Sequence, residues 1–132
     1  MTARVPSLVW AVCVFTASCA RPGGDSVVCT FDYGGETTHA RFDASADPYL
    51  GRLVPIADEF AFRGVYVKSP ADVARVALSA YYVGDRGPVL LEKTRYYPPF
   101  PRPSAASRYG FTGLRALYAP EGHELQYWCQ WQ

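Results

Sequence analysis

Any chemistry carried out by this 132-residue chain would have to start from two histidines, His39 and His123. General acid–base work needs a carboxylate to orient the imidazole and a hydroxyl or thiol for it to activate. Asp32 and Ser107 could fill those roles, but no spacing in the sequence brings either one to a histidine. Neither histidine sits in a Cys/His cluster of zinc-ligand spacing, and the chain has no G-x-S-x-G, P-loop or dinucleotide fingerprint. Gly110-Phe111-Thr112-Gly113 reads as a turn, and Asp58-Glu59 and Glu121/Glu124 read as solvated carboxylates. The expectation is a protein without catalytic residues, metal or cofactor. A small hydrolase or transferase built on His39 or His123 is the alternative from another class.

Binding chemistry is better supplied. From Arg95 to Phe111 the chain interleaves Tyr96, Tyr97, Phe100, Tyr109 and Phe111 with Pro98, Pro99, Pro101 and Pro103 and with Arg95, Arg102 and Arg108. Prolines lower the entropy of a loop before it binds, and Tyr and Arg are enriched at binding hot spots. Alternation also aims Trp128 away from the face that carries Cys129. The candidate binding residues are therefore Tyr96, Tyr97, Phe100, Arg102, Arg108, Tyr109 and Trp128, with a protein or glycan as partner. The bland reading of the same loop is a wrap that caps an open end of the domain.

Composition narrows the field. Thirteen Lys plus Arg against 12 Asp plus Glu leave a net charge of +1, which removes the counterion-release driving force on which nucleic-acid binding depends. Aromatic residues make up 15% and charged residues 19% of the chain, a globular rather than a disordered composition.

The first residues differ from all that follow. Arg4, the apolar run Val5 to Ala17 and the small residues after it have the layout of a secretory signal. The run is shorter than the roughly 20 residues a membrane-spanning helix needs. Cleavage after Ala20 would leave Arg21 as the first residue. Cleavage before Cys19 would leave a cysteine to be lipidated, and Thr16-Ala17-Ser18-Cys19 resembles a bacterial lipobox apart from Thr16. The lipoprotein reading is preferred, with residues 1–18 as signal, 19–26 as tether and 27–132 as a single β domain. It places the protein in the periplasm or on a bacterial membrane, held by its lipid alone. Cys29 and Cys129 then remain, and in an oxidising compartment two remaining cysteines pair.

The elements that must position these groups are strands. Val27, Cys29, Phe31 and Tyr33 share one face; Gly34-Gly35 turns the chain into a second alternating run, Glu36 to Asp43. Leu53 to Ala57 is extended, and Glu59 to Val67 is apolar on both faces, as in a central strand with a bulge at Gly64. Ser69-Pro70-Ala71-Asp72 allows at most one helical turn near 70–75 before a hairpin of two Val- and Tyr-rich arms around Gly84 to Pro88. A final hairpin turns at Pro120-Glu121-Gly122. Cys29 and Cys129 fall on the apolar faces of the first and last strands, so a bridge between them closes the ends of an all-β, antiparallel barrel or sandwich of six to seven strands. This layout resembles the periplasmic c-type lysozyme inhibitors, small exported barrels tied by a terminal disulfide. The resemblance implies an inhibitor-like role but brings no functional motif with it. A structural accessory subunit of an envelope complex is a further alternative, and it expects a broad apolar face left uncovered.

Overall fold

Period-two alternation becomes sheet along most of the chain. The structure, a computed structural model, describes residues 26–68, 70, 73–102 and 107–132. The expected signal, Cys19 and the tether up to residue 25 lie outside the described residues, as do Ser69, Ala71, Asp72 and the segment 103–106 that contains Pro103. The strands are β1 (Ser26–Tyr33), β2 (Glu36–Ser45), β3 (Val54–Ile56), β4 (Phe60–Val67), β5 (Arg75–Gly84), β6 (Gly87–Tyr96), β7 (Arg115–Tyr118) and β8 (Glu124–Trp131). They form one nearly closed, barrel-like sheet in the order β6-β5-β4-β2-β1-β8-β7, with the three-residue β3 pairing to β4. At the helical signal, the Val73 N–H donates to the Pro70 carbonyl at 3.1 Å.

The first and last strands meet as expected. In the β1–β8 register Cys29 lies directly opposite Cys129, and the two form a disulfide whose residues are both fully buried. The β1 face expected to be apolar is the core face, with Val27, Cys29 and Phe31 all at 0% exposure. β1 begins one residue earlier than alternation indicated, because the Ser26 N–H donates to the Gln132 carbonyl and the Gln132 N–H donates back.

Two features depart from the sequence reading. β2 and β4 pair in parallel, through Ala44↔Tyr66 and Ser45↔Val67 only, so the sheet is not antiparallel throughout. Gly64 is not a bulge: it pairs in regular register with Leu78, and the irregularity falls between Ala80 and Tyr81 on β5. What Gly64 provides is space. A Cβ there would come within 2.5 Å of the Phe42 ring, so the missing side chain lets Phe42 pack over β4.

Phe62 is central to the core. It meets Phe31 edge-on at 4.9 Å and Tyr127 edge-on at 5.0 Å, and lies tilted against Phe42 at 5.9 Å. Edge-to-face rings at such distances add about 0.5–1.5 kcal/mol per pair beyond the area they bury. The two edge strands, β6 and β7, approach through side chains: Arg115 Nη1 lies 3.4 Å from Glu92 Oε1, and Tyr96 of β6 packs edge-on against Phe111 at 5.2 Å. A hydrogen bond with Tyr96, and secondarily the Glu92 charge, raise the pKa of Arg115. Burial, with Glu92 nearby, pushes the Tyr127 phenol far above its ordinary value.

Candidate functional site

The proline-rich segment that follows β6 divides its aromatic residues between the interior and the surface. Phe100 turns inward, edge-on to Tyr66 at 5.9 Å and tilted against Trp131 at 5.3 Å. Trp131 stacks on Phe111 at 4.3 Å with 17° between the planes, and its indole N–H donates to the Pro101 carbonyl at 3.1 Å. Tyr96, the last residue of β6, and Phe100 are therefore half-buried parts of an aromatic plug packed against the core. Trp131, two residues beyond Cys129 on β8, is the indole that holds the plug. Tyr97 is left 57% exposed, and Arg102 is exposed beside it in sequence.

The other half of the segment returns along β8. Gly110 bridges Cys129, the Phe111 N–H donates to the Cys129 carbonyl at 3.0 Å, and the Thr112 hydroxyl accepts from the Cys129 N–H at 2.8 Å. These bonds continue the ladder along β8 beyond its pairing with β7, which stops at Tyr127. They carry Tyr109 to Trp128, edge-on at 5.3 Å and 75°. Arg108 places its guanidinium carbon 5.5 Å from the centre of the Tyr109 ring, within range of a cation–π attraction. Tyr109 and Trp128 are half-buried and Arg108 is exposed. Of the sequence candidates, then, Arg108, Tyr109 and Trp128 come together on the surface. Tyr96 and Phe100 belong to the plug, and Tyr97 and Arg102 have no aromatic partner among the described residues.

The surroundings of Trp128 follow from register. Thr30 on β1 lies opposite both Trp128 and His39, so His39, Thr30 and Trp128 form a row across β2, β1 and β8. The Thr30 hydroxyl and His39 Nδ1 are 3.1 Å apart. Along β8, Gln126 and Gln130 share the face with Trp128. The result is an aromatic pair flanked by the amides of Gln126 and Gln130 and by the row through buried Thr30 to His39, on the side of the sheet away from the disulfide.

His123 has a different setting. Its Nδ1 lies 2.7 Å from Glu59 Oε2, and the Tyr33 hydroxyl donates to the same Glu59 oxygen at 2.8 Å. Sequence reasoning missed Glu59 and Tyr33, because no local signal links positions 64 residues apart. Glu121 brings a third donor, with ligand atoms of Glu59, Glu121 and His123 all within 4.8 Å of one another. Glu59 is already engaged by His123 and Tyr33, so the cluster ties the β7–β8 turn to β1 and to the start of β4. Among the described residues, neither histidine meets both a carboxylate and a hydroxyl: His123 has the first and His39 the second.

This tie depends on pH. Its hydrogen bond to Glu59 raises the His123 pKa from 6.5, and hydrogen bonds from Tyr33 and then His123 lower the Glu59 pKa from 4.5. A raised histidine stabilises fully below its unfolded value and loses that contribution as pH rises through the folded value. A lowered carboxylate stabilises above its unfolded value and loses that as pH falls through the folded one. Both contributions are complete between 4.5 and 6.5. Thermal melts of the protein and of His123→Ala should differ most in that window and converge on its alkaline side. A pH-independent difference would rule out the charged tie.

Tyr49, Leu50 and Leu53 belong to the loop before β3, while Val83, Val89 and Leu90 lie near the tip of the β5–β6 hairpin. Compared with known proteins, the chain matches no family model, no curated sequence and no solved structure.

Proposed function

We propose that this chain is an exported, lipid-anchored, non-enzymatic domain of a bacterial cell envelope that binds a glycan on the outer face of β8, with Tyr109 and Trp128 as its stacking platform. The observation that carries the reading is the edge-on Tyr109–Trp128 pair at 5.3 Å, held at the surface by the bonds to Cys129. Aromatic residues with a polar edge suit a partner that is apolar on its ring faces and wet at its rim. Gln126 and Gln130 on β8, with His39 across the row and braced by the buried Thr30 hydroxyl, supply hydrogen-bonding groups of the kind that read hydroxyls. Export and lipidation at Cys19 are supported by the leader pattern, and the buried disulfide fits an oxidising compartment.

A non-catalytic role is supported by the position of the histidines, since the Tyr33 hydroxyl donates to Glu59, the carboxylate that His123 also engages, and not to the imidazole. Calorimetric titration with neutral cell-wall oligosaccharides tests the site. Trp128→Ala should weaken binding by at least about 2 kcal/mol, roughly thirtyfold, as expected for a central aromatic anchor. Unchanged affinity in Trp128→Ala rejects the face. Binding to a protein such as lysozyme, lost in the same variant and without any glycan binding, would keep the face and change its partner.

A further inference from the structure

A second surface, on the other half of the sheet, has a different chemistry. The outward face of β4, β5 and β6 contains a groove of about 150 Å³. Its cross-strand rows are Arg63–Ser79–Lys93 and Val65–Ala77–Arg95, with Arg75 next along β5. The floor is therefore the small residues of β5, Ser79 and Ala77, and cations rise on both sides. Two inter-strand steps separate β4 from β6, about 10 Å, so one small ligand on the β5 floor is within reach of Arg63 on one wall and Lys93 and Arg95 on the other.

Charge distribution gives the groove its meaning. The whole chain carries a net charge of only +1, yet Arg63, Arg75, Lys93 and Arg95 line this groove with no carboxylate among its described lining residues. None of the four forms an ion pair with a described residue. Arg63 donates from Nη2 to the Tyr49 carbonyl at 3.3 Å, and Arg75 donates from Nη1 to the Val73 carbonyl at 3.0 Å. Each guanidinium has five N–H donors, so these anchors fix the side chains and leave donors over. The loop before β3 holds the wall in place: a Cβ on Gly51 would come within 2.6 Å of Arg63 Nε and 2.5 Å of Val65 Cγ2. Arg63 Nε itself is out of contact with solvent and has no hydrogen-bond partner.

We propose that this groove binds a multiply charged phosphate-type oxyanion, a phosphomonoester or pyrophosphate group. A single carboxylate would leave most of the cationic charge uncompensated. A phosphate group carries about −1.5 to −2 charge and three acceptor oxygens, which matches donors that converge from two walls and a hydroxyl on the floor. Guanidinium groups suit such a ligand because they bind it in fork geometry.

The test is calorimetric titration of the folded domain with pyrophosphate at low ionic strength, with acetate as the singly charged comparison and phosphatidate-containing vesicles as a separate arm. Pyrophosphate should bind and acetate should not, with the affinity falling as salt is added. Arg63→Gln and Lys93→Gln should each lose about tenfold, the effect of one charge-assisted contact. Arg41→Gln, whose native side chain pairs with Asp43 on β2, should bind as the parent does. Amide shifts on pyrophosphate addition should map to β4–β6 and leave β8 unmoved, which separates this site from the glycan face. Binding to vesicles but not to free pyrophosphate, lost in the double variant, supports the same chemistry presented on a lipid headgroup. Equal pyrophosphate affinity in the parent and the Arg63→Gln/Lys93→Gln variant overturns the proposal, as does the absence of binding in both arms.

Discussion

Replacing both cysteines, as Cys29→Ala/Cys129→Ala, should remove about 2–5 kcal/mol of folding stability. The bridge closes a sequence separation of 100 residues, for which the chain-entropy account gives about 4.7 kcal/mol. Small domains rest on a net of about 5–15 kcal/mol, so one covalent link supplies a large share. The direct Cys29↔Cys129 pairing also buries both sulfurs among Val27, Phe31, Leu125 and Tyr127, so the alanines add a packing loss. Urea denaturation distinguishes the causes. An effect through the unfolded chain lowers the midpoint and steepens the dependence on denaturant, because the uncrosslinked ensemble exposes more surface. A packing loss moves the midpoint alone. A total change below about 1 kcal/mol would show that the terminal strands hold together without the bridge.

That bridge was also the most legible part of the sequence, and the reason is physical. Val27, Cys29 and Phe31 alternate with Val28, Thr30 and Asp32, and Leu125, Tyr127 and Cys129 alternate with Glu124, Gln126, Trp128 and Gln130. A period of two fixes which face is buried without any knowledge of the partner strand. The final turn was legible for a similar reason. Gly122 has a φ of +89°, and its N–H donates to the Ala119 carbonyl, as the Pro-Glu-Gly order requires. The parallel contact of β2 with β4 was not legible. It rests on two residue pairs, and a two-residue parallel pairing leaves no periodic trace. At Gly64 the sequence showed only that a side chain was absent. Whether that makes a bulge or room for Phe42 depends on an element 22 positions away, which no local pattern reports.

The candidate site was legible in composition and illegible in direction. Proline removes the alternation that elsewhere tells inward from outward, so Phe100 in the plug and Tyr109 on the surface looked alike. The direction of Trp128 was legible because it sits in a regular strand, where its neighbour Cys129 fixes which face it takes. The cationic groove was invisible for another reason. Arg63, Arg75, Lys93 and Arg95 lie on three strands, and only the register of β4, β5 and β6 turns them into neighbours.

Gly110→Ala should be the most damaging of the glycine substitutions at the turns, and should disable the proposed glycan face beyond its effect on stability. Its φ is +57°, and a Cβ would lie 2.1 Å from the Cys129 carbonyl oxygen and 2.7 Å from the carbonyl carbon. Both are backbone atoms of β8, pinned by the disulfide and by the β1 ladder, so the strand cannot move aside. The 107–113 segment must lift instead, breaking the bonds from Phe111 N–H to the Cys129 carbonyl and from Cys129 N–H to the Thr112 hydroxyl. The left-handed backbone and the steric clash together should cost about 2–4 kcal/mol. Gly113→Ala is the matched comparison: its φ is +69°, but nothing lies within 4 Å of the added carbon, so only the backbone term of about 1–2 kcal/mol applies. Melting temperature should therefore fall further in Gly110→Ala than in Gly113→Ala. Indole fluorescence should report wetter side chains in the first variant and unchanged ones in the second, because Tyr109 leaves Trp128 and Phe111 leaves Trp131 with the segment. Equal losses in the two variants would mean that the close approach of Gly110 to β8 does not hold the aromatic pair in place.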